Sequence, residues 1–404
     1  MKILFIAPYP PNPIRTRLRN FAIGLADRGH FVDIIAPYSS SAEIIGMEDL
    51  QKNNRIRQYL VKDFSVLRQL RTTLSVFDGK PFQQHYFVSK SLKILILQLL
   101  KNHRYDCIHV ETFKVANSVS GDLGLNNLIP IIIDAVDCFS DLYKQFAGTV
   151  ESSIWKKIYA MESKRVLAFE KQRLNKFRYV ITSTNHEALL LKKISGIKRI
   201  ASIENGVDLT LFPPSPSFKN FNCKREPTIA FSGKISYIAN STAVIYFYKK
   251  IFPFIAEQFP NIKFKIIGAS PPKTILNLAK DNRIEITGYV ENLANSFNDV
   301  HVVVCPLIMG AGIHNKLMEA MALAKPVVAT SLSCKNFNFK SGKELIIADK
   351  EIDFAESVVN LLRNPDLCQA IGFTARSYIE KHFRWEDKIE KLEKIYRGSI
   401  ASTR

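Results

Sequence analysis

The chain of 404 residues has few cysteines and no long apolar segment. No apolar run reaches the roughly 18 residues that a membrane-spanning helix needs, and the first residues lack the pattern of a cleavable signal. The six cysteines are scattered, without the spacing typical of zinc or redox sites. Cys107 and Cys305 lie within apolar, strand-like runs. We therefore expect buried free thiols and a reducing, cytoplasmic setting.

The chain also lacks a dense block of charge of one sign, although its net charge is +19. Lysine and arginine are spread over both halves, whereas a nucleic-acid-binding protein more often concentrates them on a tail or stripe. We therefore predict no nucleic acid partner. Positive charge of this kind favours an anionic nucleotide, or an anionic membrane surface with which the protein would associate peripherally, at the inner face of the membrane.

A length of 404 residues is long for one hydrophobic core, so two domains are expected. A strand (Lys2–Ala7), a helix opening at residues 15–19 and a second strand (Phe31–Ala36) predict a parallel βαβ start. A second strand series begins at Thr228. The proline-rich segment Leu211–Pro227 between them predicts an interdomain linker.

The segment Val88–Leu100 allows two interpretations. Its apolar positions are dense and lysines lie at its flanks, so it could form a basic amphipathic helix on a membrane. Ordinary packing against a sheet is the other interpretation, because doubly wound domains need such helices.

The stretch Val302–Thr330 carries the clearest chemical pattern. A buried strand, Val302–Cys305, leads into a loop that contains Gly310 and Gly312, and a helix follows from near His314. Glycines let the backbone approach a ligand closely, and the helix start offers N–H groups and a positive dipole end to phosphate. The pattern is that of a nucleotide-binding loop, although similar units occur in every doubly wound protein.

Two charged residues follow on this helix. Lys316 and Glu319 are three positions apart and so share a helix face. A cation for phosphates beside a carboxylate for hydroxyls suits a sugar nucleotide. The alternative is that the pair lies on an ordinary solvent-exposed helix face.

The same stretch resembles the donor site of retaining nucleotide-sugar glycosyltransferases with the two-domain GT-B fold, the family 4 or group 1 type. The closest variant, known among polysaccharide-assembly enzymes, reads G-x-G-x-x-x-K-x-x-E-A-M-A-x-x-x-P-V-V. The matching residues are Gly310, Gly312, Lys316, Glu319, Ala320, Met321, Ala322, Pro326, Val327 and Val328.

The resemblance implies an α/β fold with two Rossmann-like, doubly wound parallel-sheet domains that face a cleft. It places an acceptor domain at 1–210, a linker at 211–227 and a donor domain at 228–382, with the helix 385–404 crossing back onto the first domain. It also implies retaining transfer from a nucleoside-diphosphate sugar to a glycan or lipid-linked acceptor. No cofactor and no metal are expected, because no D-x-D motif stands in a suitable loop.

The resemblance further assigns roles in the second domain. Lys234 and Lys316 neutralise the diphosphate, assisted by backbone N–H groups from Gly312 to His314, and Glu319 accepts hydrogen bonds from ribose hydroxyls. The backbone after Gly288 meets the nucleobase. The complete set of expected donor-binding residues is Gly233, Lys234, Gly288, Val290, Gly310, Gly312, Ile313, His314, Lys316 and Glu319.

In the first domain the resemblance is looser. The segment 12–15 resembles a subgroup with P-x-P-I-R-x-R, which makes Arg15 and Arg17 candidates for anion binding on the acceptor side. They could equally be solvated residues at a helix start. Many relatives carry a histidine where this chain has Val136, and Asp137 is the substitute we expect at the catalytic centre, with loop capping as its alternative.

One further departure concerns the donor sugar. The common family pattern has two glutamates spaced E-x7-E, and Ala311 stands where the first would be. The subgroup that this chain resembles lacks that glutamate too. A non-catalytic nucleotide-sugar-binding subunit of a glycan-assembly complex is therefore the alternative function.

Overall fold

A computed structural model describes residues 1–13, 15–74, 78–119, 129–150, 152–214 and 226–403. The chain forms two compact units, Met1–Asn205 with Trp385–Arg404 and Gly206–Arg384. Most of the expected linker, at 211–227, falls on residues 215–225, which lie outside the described residues.

The first unit is built on a parallel sheet of seven strands in the order β3-β2-β1-β4-β5-β6-β7. The direction of the order reverses beside β1, which is the doubly wound arrangement. The strands are β1 (Lys2–Ile6), β2 (Phe31–Tyr38), β3 (Ile56–Lys62), β4 (Cys107–Glu111), β5 (Ile131–Val136), β6 (Tyr179–Thr182) and β7 (Ile200–Ser202). Its helices are α1 (Thr16–Asp27), α2 (Glu48–Lys52), α3 (Ser65–Leu74), α4 (Phe82–Phe87), α5 (Lys90–Asn102), α6 (Thr112–Ala116), α7 (Phe139–Thr149), α8 (Ser153–Arg173) and α9 (Asn185–Ser195).

The second unit repeats the plan with six parallel strands in the order β10-β9-β8-β11-β12-β13. These strands are β8 (Thr228–Ser232), β9 (Lys263–Ile267), β10 (Ile284–Gly288), β11 (Val302–Cys305), β12 (Val327–Ala329) and β13 (Ile346–Ile347). The helices are α10 (Ile238–Lys250), α11 (Phe252–Gln258), α12 (Lys273–Leu276), α13 (Asn315–Ala322), α14 (Ser331–Cys334), α15 (Glu351–Arg363) and α16 (Pro365–His382). The predicted fold class, with two doubly wound parallel sheets, is confirmed.

The last helix, α17 (Trp385–Ala401), packs within the first unit. Its apolar side is buried against α1 and the first sheet: Trp385 stacks edge-on against Phe21 at 5.7 Å between ring centroids. The approach is so close that a Cβ on Gly24 would lie 1.9 Å from the Cδ1 of Ile389. The apolar side of α17, which its helical spacing predicts to be buried, is thus buried within the first unit.

Helix α5 packs on the first unit, but Ile94 and Leu97 on it are 45% and 44% exposed, so the membrane interpretation of its segment stays a prediction. Leu92, Ile96 and Leu99 are buried on one side of it. Five cysteines in the described part of the chain are free and buried, as expected, whereas Cys223 lies outside that part. Within the described residues, no helix is long and apolar enough to cross a bilayer.

Candidate functional site

The loop between β11 and α13 has the expected form. Gly310 (φ 147°) and Gly312 (φ 71°) both adopt backbone conformations that side chains disfavour. A Cβ on Gly310 would lie 3.1 Å from the Cε1 of His314, so the loop is folded closely over that ring. His314 occupies the N-cap position of α13, in agreement with the helix start predicted near it, and its side chain makes no capping hydrogen bond.

Lys316 does not lie on a solvent-exposed helix face. It is partly buried, its Nζ donates to the Oδ1 of Asn240 at 2.5 Å, and it lies 4.0 Å from the ring centroid of Phe231. A Cβ on Gly233 would lie 3.1 Å from the same Nζ. The structure therefore brings Lys316 and Gly233, 83 positions apart in the numbering, to the carboxyl end of β8, where open α/β sheets bind ligands.

Asn240 organises this corner, and its role was not predicted from the sequence. Its side chain is buried, and besides accepting from Lys316 it donates from Nδ2 to the backbone carbonyl of Lys234 at 2.8 Å. The commoner pattern of the family that the sequence resembles has a second basic residue some five positions after Lys234, where this chain has Ile238, Ala239 and Asn240. An amide oxygen can accept from an ammonium group, whereas a second cation could not. The presence of an amide at Asn240, where that pattern has a cation, was the sequence feature that could have identified this residue.

Lys234 has an exposed side chain, and its backbone is fixed by Asn240. The loop after β8 also touches the loop after β9: a Cβ on Gly268 would lie 1.7 Å from the carbonyl oxygen of Gly233. Gly268 in turn donates its N–H to the carbonyl of Gly288 at 3.1 Å. Glycines thus stand side by side at the ends of β8, β9 and β10, and Gly268 was missed in the sequence because contact across strands leaves no local pattern.

The remaining expected donor-binding residues surround this edge in different ways. Gly288 ends β10 with a φ of 70°, and Val290 and Ile313 are partly buried against the core of the second unit. The carbonyl of Gly312 accepts from the Nδ2 of Asn336. The Nε2 of His314 has no hydrogen-bond partner among the described residues, and burial lowers the pKa of His314 to about 3, so its ring is neutral.

Burial also brings the pKa values of the two charged residues of α13 towards each other. It lowers the pKa of Lys316 to about 8 and raises the pKa of Glu319 to about 7, an upward shift that the charge of Lys316 opposes. Both side chains are partly buried. Lys316 and Glu319 can thus change charge near neutral pH. A site with such a cation and carboxylate can bind an anionic ligand that carries hydroxyl groups.

Arg17 has a different role from the one predicted. Its guanidinium is 7% exposed and its Nε donates to the Oδ2 of Asp134 at 2.7 Å, while Nη1 donates to the carbonyl of Ile203 and to the Oδ1 of Asn205. The acceptor-side anion contact is thus corrected to a buried ion pair that ties α1 to β5. Its guanidinium is committed to protein groups.

Arg15 is partly buried and lies over the ring of Tyr9, 3.5 Å from Cζ to the ring centroid. Burial lowers its pKa, and the neighbouring Tyr9 and Glu111 oppose that shift. Its Nη1 has no hydrogen-bond partner in the described part of the chain. Arg15 therefore keeps a donor that an anion could use.

Asp137 follows β5 in the first unit. It accepts a hydrogen bond from the Oγ of Ser183 at 3.0 Å, and burial, reinforced by Glu187, raises its pKa to about 7. The preceding Val136 has a φ of +63°, and Thr112, at the end of the neighbouring strand β4, has a φ of +62°. Backbone strain at two adjacent strand ends is typical of functional edges. The catalytic role of Asp137 stays a prediction.

No group of three or more His, Cys, Asp or Glu side chains able to hold a metal ion occurs among the described residues.

Comparison with known proteins finds two family profiles. Residues 226–364 match the profile "Glycosyl transferases group 1", and residues 14–211 match "Glycosyltransferase Family 4". Lys234, Lys316, Glu319 and the glycines of the candidate site all fall within the first range. Arg15, Arg17 and Asp137 fall within the second.

Among curated proteins, the chain is similar to an uncharacterized 44.6 kDa protein in the cps region of Klebsiella pneumoniae. The two are 23% identical over 93% of this chain and 94% of the relative. Among solved structures, sucrose-phosphate synthase from Thermosynechococcus elongatus superposes with a TM-score of 0.71 at 16% identity, over 100% of both chains. HepE from Anabaena, in complex with UDP and glucose, superposes with a TM-score of 0.68 at 15% identity, over 98% of this chain and 100% of that one.

Proposed function

Because this chain belongs to the group 1 and family 4 glycosyltransferases, we propose that it moves a sugar from a nucleoside-diphosphate sugar to a glycan or lipid-linked acceptor in the assembly of a surface polysaccharide. The proposal includes retention at the anomeric carbon and independence of metal ions. It also places the enzyme in the cytoplasm, in peripheral contact with an anionic membrane that holds the acceptor.

The observation that carries this proposal is the position of Lys316. Lys316 stands in the first turn of α13, and its ammonium lies beside Gly233 at the end of β8. Diphosphate bound there would meet a cation, a helix N-terminus and glycine backbone at once. These are groups that stabilise the charge that develops as a nucleoside diphosphate departs. Glu319, one turn further on, would accept from the ribose hydroxyls.

The relatives support the class of ligand and the biological setting. HepE binds UDP and glucose, and UDP-glucose in a further structure. TarM from S. aureus was solved with UDP and a GlcNAc-glycerol, and WaaG takes part in lipopolysaccharide biosynthesis. The Klebsiella relative lies in a cps region. A uridine diphosphate sugar is accordingly the first donor to test.

The test is incubation with a panel of nucleoside-diphosphate sugars, read first by thermal shift and then by release of nucleoside diphosphate. A donor at about 100 times its dissociation constant should stabilise the protein by roughly 2.7 kcal/mol. Turnover, or slow hydrolysis of the donor, is the expected result. Binding without turnover over all plausible acceptors would instead support the non-catalytic subunit, the function that Ala311 and Val136 favour.

A further inference from the structure

Helix α3 buries a charged side chain against its own domain and leaves its apolar side exposed. Arg68 is the residue that α3 buries, at 1% exposure. Five large apolar side chains on and just before the helix point away from the core. They are Phe64 (55% exposed), Val66 (71%), Leu67 (49%), Leu70 (54%) and Leu74 (73%). We name this set the α3 apolar face. A helix that packs on a core normally has the opposite arrangement.

The inverted orientation is held by charge. Asp63, which is buried, lies 3.4 Å from the Nε of Arg68 and accepts from the Nη2 of Arg71 at 2.6 Å. Arg71 also donates to the backbone carbonyls of His85 and Tyr86, each at 3.1 Å. These contacts fix the polar side of α3 onto α4, so the apolar side remains outward by construction.

We propose that the α3 apolar face docks onto the surface of an anionic lipid bilayer. The inference deepens the proposed function, since it names the surface through which the enzyme would reach a lipid-linked acceptor. Its physical basis is independent of catalysis. An interfacial helix inserts its apolar side about 5–10 Å into the boundary of headgroups and acyl chains, and needs no partner beyond the lipid. At ten residues, α3 is about 15 Å long, which is too short to span a bilayer but long enough to lie in it.

The charge around the face favours anionic lipid. From Phe64 to Leu74 the sequence contains no acidic residue. The exposed Lys62 precedes the face, and its Nζ lies 5.3 Å from the ring centroid of Phe64, whereas the exposed Lys80 follows the face beyond the exposed Asp78. Basic groups beside an apolar face are attracted to the negative surface of the inner leaflet, and the whole chain carries +19.

The size of the face disfavours a second copy of the chain. A stable protein interface buries about 800 Å² on each partner and draws on some 20–30 residues a side. The α3 apolar face consists of five apolar residues on one short helix, which is far below that extent. Binding to a bilayer requires no minimum interface area, because each apolar side chain that inserts lowers the free energy independently by leaving water.

The experiment uses the full chain and vesicles of phosphatidylcholine, with or without about 30% phosphatidylglycerol, in a co-sedimentation assay. The test variant is Val66→Ser/Leu70→Ser/Leu74→Ser, whose positions lie one helical turn apart on one side of α3. The matched control, Ile352→Ser/Phe373→Ser, removes two apolar side chains that are 55% and 64% exposed on the second unit. Exposed positions of this kind should leave the melting temperature unchanged in both proteins.

We expect the wild type and the control to bind anionic vesicles, and the test variant to bind them about tenfold more weakly or worse. Lys62→Glu/Lys80→Glu should lose the preference for anionic over neutral vesicles. Vesicle binding by the test variant at the wild-type level, or none by the wild type, overturns the proposal. So does a wild-type dimer that the test variant converts to monomer.

Donor turnover with a water-soluble acceptor, measured on the same proteins, separates this inference from the proposed function. The α3 apolar face supplies none of the candidate site residues. Vesicle binding without turnover would therefore support the docking surface and count against the transferase assignment. Turnover without vesicle binding would retain the transferase and overturn the docking surface.

Discussion

The ammonium group of Lys316 lies 2.5 Å from the side-chain oxygen of Asn240, and the amide nitrogen of the same Asn240 donates to the carbonyl of Lys234. One neutral side chain thus connects the ammonium of Lys316 with the backbone of Lys234, the two lysines that the family resemblance assigns to the diphosphate. The relationship shows how Asn240, at the third position of α10, holds Lys316 in place. It also makes Asn240 a positioning residue whose removal can be tested.

Asn240→Ala should lower turnover about tenfold, because Lys316 loses the acceptor that orients it and the Lys234 carbonyl loses its donor. The effect should fall on kcat more than on KM if Lys316 acts chiefly on the departing diphosphate. Steady-state kinetics with the best donor provides the measurement. Asn298→Ala, an exposed asparagine of the same unit, is the control and should behave like wild type.

Lys316→Ala should abolish transfer, with a loss of at least about 100-fold in kcat, as is usual when a group that stabilises developing negative charge is removed. Glu319→Ala should do the same through loss of the ribose contact. Circular dichroism should show that both variants remain folded. Lys273→Ala removes an exposed lysine of the same unit and should retain activity. Unchanged turnover in either site variant would discard the assignment of α13.

Donor affinity should be highest between about pH 7 and pH 8. Lys316, with a pKa of about 8, loses its charge as pH rises, so the dissociation constant should increase about tenfold per pH unit above that value. Glu319, with a pKa of about 7, becomes protonated as pH falls and stops acting as a full acceptor. Calorimetric titration with an intact sugar nucleotide measures both limbs. Lys316→Arg stays charged and should lose the alkaline limb; persistence of that limb would assign it to another group.

Arg17→Ala should destabilise the fold by about 3–5 kcal/mol, because it leaves the carboxylate of Asp134 buried without its ion-pair partner. Denaturant unfolding gives the value. Arg15→Ala should cost much less, since Arg15 is more exposed and lies outside that pair. If Arg17→Ala instead kept its stability and lost only ligand binding, the original anion-binding interpretation would be restored.

Gly268→Ala should cost about 2 kcal/mol or more. Its φ of +147° is strained for alanine, and the new Cβ would meet the backbone oxygen of Gly233 at 1.7 Å. Gly398→Ala, in a helix with open space around the added carbon, should stabilise by about 0.5–1 kcal/mol. Comparing the thermal unfolding of the two variants isolates the effect of the close contact between Gly268 and Gly233. Equal melting temperatures would contradict the proposed contact between the loops after β8 and β9.

Chelation tests the expected absence of a metal. Turnover should be unchanged by excess EDTA and not restored or raised by added Mg²⁺ or Mn²⁺, because Lys316 and the α13 N-terminus would supply the charge that a divalent cation provides in other enzymes. Activity that disappears with EDTA and returns with metal would remove the metal-independent part of the proposal.

The sequence by itself determined the features that depend on neighbours along the chain. Strand and helix signals predicted a parallel βαβ start and a second strand series from Thr228, and the family resemblance implied two doubly wound sheets. The spacing of glycine, lysine and glutamate located the loop before α13. Both are local patterns: a strand, a turn and a helix start each take their form from a few consecutive residues. Strand β3 was missed because its burial is irregular, which leaves no clear period in the sequence.

Only the tertiary structure decided which partner each charged group meets. Arg17 and Asp134 are 117 positions apart and Lys316 and Asn240 are 76 apart, so that no local rule could pair them. The same holds for the loop contact at Gly268. Helix α3 is the clearest case, since its amphipathic period is plain, but whether the apolar or the cationic side faces inward depends on Asp63 and the carbonyls of α4. A periodic pattern fixes that a helix has two sides, and its packing environment selects which one is buried.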